Sequence, residues 1–275
     1  MLINLKDILD IAEKKHFALP AFNVYNMETV MGIIEAAEAT QSPVIVQIYA
    51  RLFVSGVAYY LAPSVVAAAQ RSTIPICFHL DHGTGETEIV RALRCGCTGI
   101  MSDYSLLSFQ ENINATKNIV KLCRNIGVSV EGELGKIGST KDETSINYTD
   151  VQESIQFVTE TNISALAVQV GTAHGHYKNI PKINLERIAE IRNNISVPLV
   201  LHGGSGIPDD QIKAAIAAGI RKINFGTDIC YSFLDKIFET SRELVAIDVF
   251  MQEAIKAVKN FAVSKIRLLN AEGKA

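Results

Sequence analysis

The stretch IPICFHLDHG, residues 74–83, joins a short apolar run to a cluster of polar side chains. The run IPICFHL (74–80) is typical of a buried strand, and Asp81, His82 and Gly83 follow where that strand would end. Taken alone, these residues either belong to a catalytic metal site or only mark the end of a buried strand. The rest of the sequence is needed to distinguish between these two alternatives.

Similar apolar runs recur along the whole chain. Because they are continuous rather than alternating, we predict strands that are covered on both faces, as in a parallel sheet. The eight predicted strands lie at 18–24, 43–49, 74–80, 98–103, 127–134, 164–170, 197–203 and 221–226. Eight strand–helix units in about 250 residues predict a (β/α)8 TIM barrel, formed as one domain over residues 1–275. A doubly wound sheet is the alternative, but the first strand is not followed by a dinucleotide-binding glycine pattern.

Helical patterns separate the strands and flank the series. They lie at 4–15, 27–39, 149–158, 207–219 and 251–269. Thr149 and Gln152 have the spacing of a capping box, which predicts that a helix begins there. Pro208 and Gly219 have the positions expected at the start and end of a helix. The long C-terminal helix, about 251–269, could pack between subunits or cover its own barrel.

The composition argues against several classes of partner. The net charge is −3 and no basic block occurs, so we expect neither nucleic acid nor an anionic membrane as a partner. No leader and no apolar run of membrane-spanning length is found, so we expect a soluble, cytoplasmic protein. The five cysteines are an odd number in a long chain and do not form a disulfide pattern.

The residues at the predicted strand ends could do chemistry, because barrel enzymes place their sites at that rim. Five of the six histidines lie there: His79, His82, His174, His176 and His202. Three histidines from different strands would match an open catalytic zinc site, for which Co²⁺ and Mn²⁺ are alternatives. A structural role for each histidine is the competing interpretation.

Two glycine-rich stretches follow the last two strands, HGGSG (202–206) and NFGTD (224–228). Glycines allow backbone N–H groups to approach an anion, and loops after strands seven and eight commonly bind phosphate in barrels. A plain tight turn is the alternative for the first stretch. Together with the histidines, the two loops indicate a metal-dependent enzyme that acts on a small phosphorylated substrate.

The combination of these motifs resembles the class II, zinc-dependent ketose-bisphosphate aldolases of the fructose- and tagatose-bisphosphate type. The resemblance covers nearly the whole chain and rests on ALPAFNVYNMET (18–29), SPVIVQ (42–47), HLDHG (79–83), SVEGELG (129–135), LAVQVGTAHGHY (166–177), VPLVLHGGSGIP (197–208), KINFGTD (222–228) and EGKA (272–275). It implies reversible aldol cleavage of a ketose phosphate or bisphosphate to dihydroxyacetone phosphate and an aldehyde, with Zn²⁺ stabilising the enediolate. It also implies a place in carbohydrate metabolism such as glycolysis, and a homodimer or homotetramer.

The resemblance assigns roles to individual residues. It implies that His82, His174 and His202 bind zinc, and that Asp103 and Glu133 contact a second or alternative metal position. Asp81 corresponds to the proton donor for the aldehyde-side oxygen. The residues implied to bind substrate are Gly175, Gly203, Gly204, Ser205, Asn224, Phe225, Gly226 and Thr227, and a monovalent cation (Na⁺ or K⁺) often assists them. His79 and His176 match no ligand position, so we interpret them as outer or pocket-lining residues.

Three positions depart from the family pattern. Members of the family carry a glutamate in a GGxE(D/E) loop after the fifth strand, and this glutamate moves the C3 proton. In this sequence Lys141 occupies that position. We assign the role to Glu143, with Asp142 or a purely solvated acidic loop as alternatives. Tyr49 replaces a small hydroxyl residue near the distal phosphate. The segment VAIDVFMQEAI (245–255) lacks the arginine that grips that phosphate. We therefore expect that the aldehyde half of the substrate is altered and lacks the distal phosphate.

Two competing functions stay open at this stage. A non-catalytic barrel could keep the metal and the phosphate site for binding or sensing, and the altered loop favours this interpretation. It would not need Asp81 as a proton donor, however. Another metalloenzyme, such as a hydrolase, would need a dedicated base beside the metal-bound water and would leave the phosphate loops without a role.

Overall fold

Parallel strands close into a barrel in the structure, which is a computed structural model that describes residues 1–140 and 147–275. Within this part of the chain the strands are β1 Leu19–Asn23, β2 Val44–Tyr49, β3 Ile76–Gly83, β4 Gly99–Ser102, β5 Ser129–Leu134, β6 Ala165–Val168, β7 Leu199–Leu201 and β8 Ile220–Phe225. They pair in chain order, and β8 pairs with β1 to close the barrel. The predicted (β/α)8 architecture is confirmed.

Helices surround the barrel and connect its strands. Their bounds are α1 Leu5–Lys15, α2 Met27–Thr40, α3 Ala50–Ser55, α4 Ala58–Arg71, α5 Glu86–Arg94, α6 Phe109–Arg124, α7 Val151–Thr161, α8 Leu185–Asn194, α9 Asp209–Ala218, α10 Thr227–Glu239, α11 Ile247–Phe250 and α12 Gln252–Leu268. Helix α1 precedes the first strand, as predicted. Local sequence sets several ends: Asn26 caps α2 by accepting from the Thr29 backbone N–H at 2.9 Å, and Gly219 follows α9.

The C-terminal helix α12 covers its own barrel. Its apolar face buries Ala254, Ile255, Val258, Ala262 and Ile266, and it packs closely against α2. Gly32 of α2 permits this approach, because an added Cβ there would lie 2.9 Å from Val258. A long C-terminal helix is therefore confirmed, and its apolar stripe is used within the subunit.

The strands are buried on both faces, which explains their continuous apolar runs. Every residue of β1, β3, β4, β6 and β7 is buried. The outer faces pack against helices, and the inner faces fill the barrel. Two charged residues, Glu131 of β5 and Lys222 of β8, are fully buried among these strands and need partners inside the barrel.

The predicted start of the helix at 149–158 is wrong. Asp150 is the N-cap of α7, and its Oδ1 accepts from the backbone N–H groups of Gln152 and Glu153 at 2.8 and 3.0 Å. The hydroxyl of Thr149 instead donates to the Leu134 carbonyl at 2.6 Å. Thr149 is thus held by β5, so the next residue is the first that can cap the helix.

Several strand boundaries also differ from the prediction, and the largest differences are in β3 and β7. Strand β3 continues to Gly83, so Asp81 and His82 belong to the strand rather than following it. Strand β7 is limited to Leu199–Leu201, shorter than the predicted 197–203. Gly203 has a φ of 68°, so the backbone has left the extended conformation at that residue.

No helix among the residues that the structure describes is both long and apolar enough to cross a membrane.

Candidate metal centre and active site

Three histidine rings converge at the rim formed by the carboxyl ends of the strands. His82 lies in β3, and His174 and His202 follow β6 and β7. The Nε2 atom of His82 lies 3.3 Å from Nε2 of His174 and 3.1 Å from Nδ1 of His202. These ligand atoms all lie within 4.8 Å of one another, so one cation between them could take all three.

The backbone at His82 has an unusual conformation. Its φ is 54°, in the left-handed region that residues other than glycine rarely adopt. The pairing of β3 with β4 shifts register between Leu80 and Gly83, which is a bulge or irregularity at the same place. Such irregularities re-aim side chains, and strained residues concentrate at functional sites. The strained turn thus orients the His82 ring at the rim.

Carboxylates on the outer side of the rings fix their orientation. Oδ2 of Asp103 lies 2.7 Å from Nδ1 of His82, and Oε1 of Glu131 lies 2.9 Å from Nε2 of His202. Each carboxylate accepts the N–H of one ring nitrogen, so the other nitrogen presents its lone pair to the centre. Metal-binding histidines commonly have carboxylate partners of this kind.

The charges around His82 favour a cation at this position. Burial opposes a charge on His82, but Asp81, Asp103 and Glu133 outweigh it and raise the pKa of the imidazole to about 9. Burial would raise the pKa of Asp103, but hydrogen bonds from His82 and Ser105 lower it to about 2. A divalent cation could supply the same positive charge in place of the proton, so the donor set fits a metal.

Glu133 provides a further observation that fits a metal. Its Oε2 is buried without a hydrogen-bond partner among the described residues, 4.0 Å from Nδ1 of His82. Burial, and after it the charge of Asp103, raises the pKa of this carboxyl to about 8. His82, Asp103 and Glu133 form a second potential ligand set, which shares His82 with the first.

Asp81 is held beside the three histidines by two side-chain amides. Its Oδ2 accepts from Nδ2 of Asn23 at 2.8 Å, and its Oδ1 accepts from Nδ2 of Asn224 at 3.3 Å. Asn23 is itself fixed, because its Oδ1 accepts from Nε2 of Gln47 at 2.9 Å. Asp81 lines the open cavity, with Oδ1 at 3.9 Å from Nε2 of His82. It is therefore positioned to exchange a proton with a bound molecule.

Most residues expected to bind phosphate line the same cavity, which has a volume of about 400 Å³. The lining includes Gly175, Gly203, Ser205, Asn224, Gly226 and Thr227. A Cβ on Gly203 would lie 2.3 Å from the Ala173 carbonyl oxygen, so only glycine fits this turn. Gly204 and Phe225 are buried below the surface of the cavity, and the Phe225 ring packs against Phe22. Phe225 therefore contributes packing beneath the cavity.

A charged network lies under the candidate metal centre. Nζ of Lys222 donates to Oε2 of Glu131 at 2.7 Å, and both side chains are fully buried. Nε2 of His79 lies 3.6 Å from the same carboxylate oxygen. Because Glu131 also holds His202, the network connects the barrel interior to a candidate ligand. We did not predict this role for Glu131 and Lys222; the available signal was a charged residue within each of two strands that the sequence predicts to be buried.

The outer wall of the cavity contains three residues that we did not predict, Arg51, Lys136 and Tyr25. Tyr49, which we expected near the distal phosphate, lines the same wall. Arg51 lies directly after β2, where its guanidinium carbon is 5.0 Å from the centre of the Tyr49 ring. The cavity therefore has cationic groups of its own, although the segment 245–255 has none.

The remaining candidates lie elsewhere. Glu143 and Asp142 lie outside the described residues. His176 is exposed and packs edge-on against Tyr231, with Nε2 at 4.0 Å from Asp228. His79 is buried beneath the rim with Glu131. Neither histidine belongs to the three-histidine cluster.

Fold and site together define a (β/α)8 barrel with a candidate metal centre on its catalytic rim. Residues 3–274 match the model of the family described as fructose-bisphosphate aldolase class-II. Because the match covers nearly all of the chain, the chain belongs to this family.

Individual relatives agree with this assignment. The chain is 38% identical to the Escherichia coli K12 protein called uncharacterized protein YdjI, over all of both chains. It is 33% identical to a sulfofructosephosphate aldolase of Alkalicoccus urumqiensis, over 99% of this chain and 98% of that one. The crystal structure of the YdjI aldolase superposes with a TM-score of 0.91 and full coverage of both chains, at 37% identity.

Proposed function

We propose that the chain catalyses the reversible aldol cleavage of a ketose phosphate to dihydroxyacetone phosphate and an aldehyde. The observation that carries this proposal is the position of Asp81, a carboxylate held by two amides beside three converging histidines. Glycine loops that suit a phosphate line the same cavity. The proposal treats residues 1–275 as one domain.

His82, His174 and His202 would hold the metal, and we propose Zn²⁺, with Co²⁺ or Mn²⁺ as alternatives. Imidazole nitrogens suit all three ions. Such a cation, when bound, supplies a Lewis acid that stabilises the negative charge developing on the dihydroxyacetone-phosphate half. Asp103 and Glu133 would contact a second or alternative metal position, as their proximity to His82 supports.

Asp81 moves the proton on the C4 oxygen in this proposal. In cleavage it accepts that proton as the carbon–carbon bond breaks, and in condensation it returns the proton to the aldehyde oxygen. The amides of Asn23 and Asn224 keep the carboxylate in one orientation, so no reorganisation is needed at the reacting atom. A binding or sensing protein would have no use for this arrangement.

The loops after β7 and β8 would bind the phosphate. The residues Gly203, Ser205, Gly226 and Thr227 line the cavity together, and α10 begins at Thr227. Backbone N–H groups at a helix N-terminus favour an anion. Gly204 and Phe225 belong to the same turns and could contribute only through their backbone. Binding of Na⁺ or K⁺ near the phosphate is part of the proposal.

We assign the movement of the C3 proton to Glu143, with Asp142 as the alternative. The support comes from the described residues just before them. The Thr140 backbone N–H donates to the His174 carbonyl at 2.8 Å, and the His174 N–H donates to the Gly138 carbonyl at 2.9 Å. The chain thus enters the segment 141–146 from a position next to a candidate metal ligand.

The aldehyde product is proposed to lack a phosphate. The support is Tyr49 on the cavity wall and the absence of a basic residue from 245–255. The relative from Alkalicoccus urumqiensis is named for a sulfonated sugar phosphate, and this name supports a substrate with an altered distal group.

We also propose a homodimer or homotetramer in the cytoplasm. Exposed apolar side chains cluster in and after α10, where Phe238, Val245 and Ile247 are 82%, 85% and 71% exposed. A face of this kind is expected to pack against a second copy of the chain. The five free cysteines are compatible with a reducing compartment.

Condensation of dihydroxyacetone phosphate with unphosphorylated aldehydes tests the proposed reaction. We expect addition products with the metal-loaded protein and a fall in rate of at least about 100-fold after chelation, reversed by Zn²⁺. In the reverse direction, fructose 1,6-bisphosphate is expected to be a poor substrate for cleavage by the same preparation. Efficient cleavage of the bisphosphate would contradict the proposed aldehyde half, and hydrolysis of a substrate without condensation would favour a different metalloenzyme.

A further inference from the structure

Arg51 is a cavity-lining cation whose contacts, among the described residues, are with aromatic rings. It lies in the first turn of α3, and its guanidinium carbon is 5.0 Å from the centre of the Tyr49 ring and 6.0 Å from that of Tyr25. Among the described residues it has no hydrogen bond or ion pair, although several carboxylates line or flank the same cavity. Contacts with aromatic faces hold a guanidinium in place while leaving its N–H edge free for another acceptor.

Arg51 lies on the side of the cavity where the aldehyde half of the substrate would bind. Tyr49 pairs in register with Asp81 across β2 and β3, and the Tyr49 ring lies 5.7 Å from the His82 ring. Arg51 is therefore on the Asp81 side of the metal centre. The phosphate loops follow β7 and β8 on the other side of β1. A substrate with its phosphate in those loops and its C4 oxygen at Asp81 would extend its remaining carbons toward Arg51.

We propose that Arg51 binds an anionic group at the far end of the aldehyde half, a carboxylate or a sulfonate. This inference rests on the proposed function and specifies its substrate class. A single guanidinium edge offers two parallel N–H donors, which match two oxygens of a singly charged oxyanion. Tyr49 and Tyr25 are the positioning residues that keep this edge directed into the cavity.

Lys136 gives a matched comparison. It lines the same cavity but follows β5, three strands farther round the barrel than Arg51. If any cation in the cavity served equally well, replacing either residue would have the same effect on substrate preference. The inference requires the larger effect at Arg51.

The test measures kcat/KM for addition of dihydroxyacetone phosphate to glyceraldehyde and to its analogues with a carboxylate, a sulfonate or a phosphate at C3. The metal-loaded wild type is expected to favour the carboxylate or sulfonate analogue over glyceraldehyde by about tenfold or more. Arg51→Gln is expected to reduce this ratio by about 10- to 100-fold, Arg51→Lys to retain part of it, and Lys136→Gln to change it much less.

Three results would overturn the inference: no preference for an anionic aldehyde, an equal loss for all aldehydes in Arg51→Gln, or a preference for the phosphate over both other anions. The proposed function is judged separately by deuterium exchange at C3 of dihydroxyacetone phosphate with the wild type, which needs no aldehyde. Exchange without anion preference contradicts only the role of Arg51, whereas a lack of exchange contradicts the proposed function itself.

Discussion

Replacing Asp81 with asparagine is expected to lower kcat for aldol cleavage by about 10²- to 10⁴-fold, the range typical of a lost general acid–base group. Asparagine has nearly the same shape and can still accept a hydrogen bond from Asn23. It cannot, however, accept the proton of the C4 hydroxyl group. The metal content should persist, because Oδ1 of Asp81 is 3.9 Å from the nearest His82 nitrogen and the three-histidine set is unchanged. Steady-state kinetics with metal analysis of the same preparation measures both effects.

A comparison of two reactions sharpens this prediction. Asp81 is assigned to the aldehyde-side oxygen, so Asp81→Asn should retain far more of the C3 deuterium exchange of dihydroxyacetone phosphate than of cleavage. A parallel loss of both reactions at full metal content would show that Asp81 acts on the other half of the substrate. Unchanged cleavage would remove it from the mechanism altogether.

Replacing His82 with alanine is expected to have the largest effect on metal binding. Loss of an outer partner of a ligand typically costs about 10- to 100-fold in metal affinity, and loss of a ligand itself should exceed that range. His82 belongs to both potential ligand sets, so neither set survives the change intact. We expect the metal content to fall below stoichiometry and aldolase activity to fall to background, as measured by elemental analysis and kinetics.

His176→Ala is the matched control for this prediction. His176 follows the same strand as His174 but has a half-exposed ring outside the three-histidine cluster. The His176→Ala variant should retain its bound metal and its fold. His79→Ala is less suitable, because it would open a cavity beside the buried Glu131–Lys222 pair. Equal metal loss in His82→Ala and His176→Ala would contradict the ligand assignment.

The barrel could be predicted because its signal repeats. Each of eight strands is a short apolar run buried on both faces, and the order of these runs leaves few topologies. The boundaries were less predictable where tertiary contacts compete with local preference. Thr149 has the residue type and spacing of a helix cap, but its hydroxyl donates to the Leu134 carbonyl instead. Strand β3 continues through His82 although the backbone of His82 is left-handed.

The site could be predicted only in part. Residues in dense motifs, such as the HLDHG stretch and the glycine loops, are distinctive in sequence, and the structure brings most of them to one cavity. Glu131 and Lys222 lie within the quoted stretches SVEGELG and KINFGTD, but the sequence assigns them no role, and Arg51 lies in none of the quoted stretches. Their roles depend on an ion pair between side chains of β5 and β8, which are not neighbouring strands, or on contacts of Arg51 with two tyrosine rings. These contacts form only once the barrel is closed.

The most direct test of the central claim is deuterium exchange at C3 of dihydroxyacetone phosphate, followed by NMR with zinc-loaded and chelator-treated protein. It requires no knowledge of the aldehyde. The proposed mechanism predicts exchange with the zinc-loaded protein, loss of exchange on chelation and recovery when zinc is restored. Absence of exchange, with both metal and dihydroxyacetone phosphate shown to bind, would contradict the aldolase mechanism and indicate a barrel that binds these ligands without catalysing proton transfer.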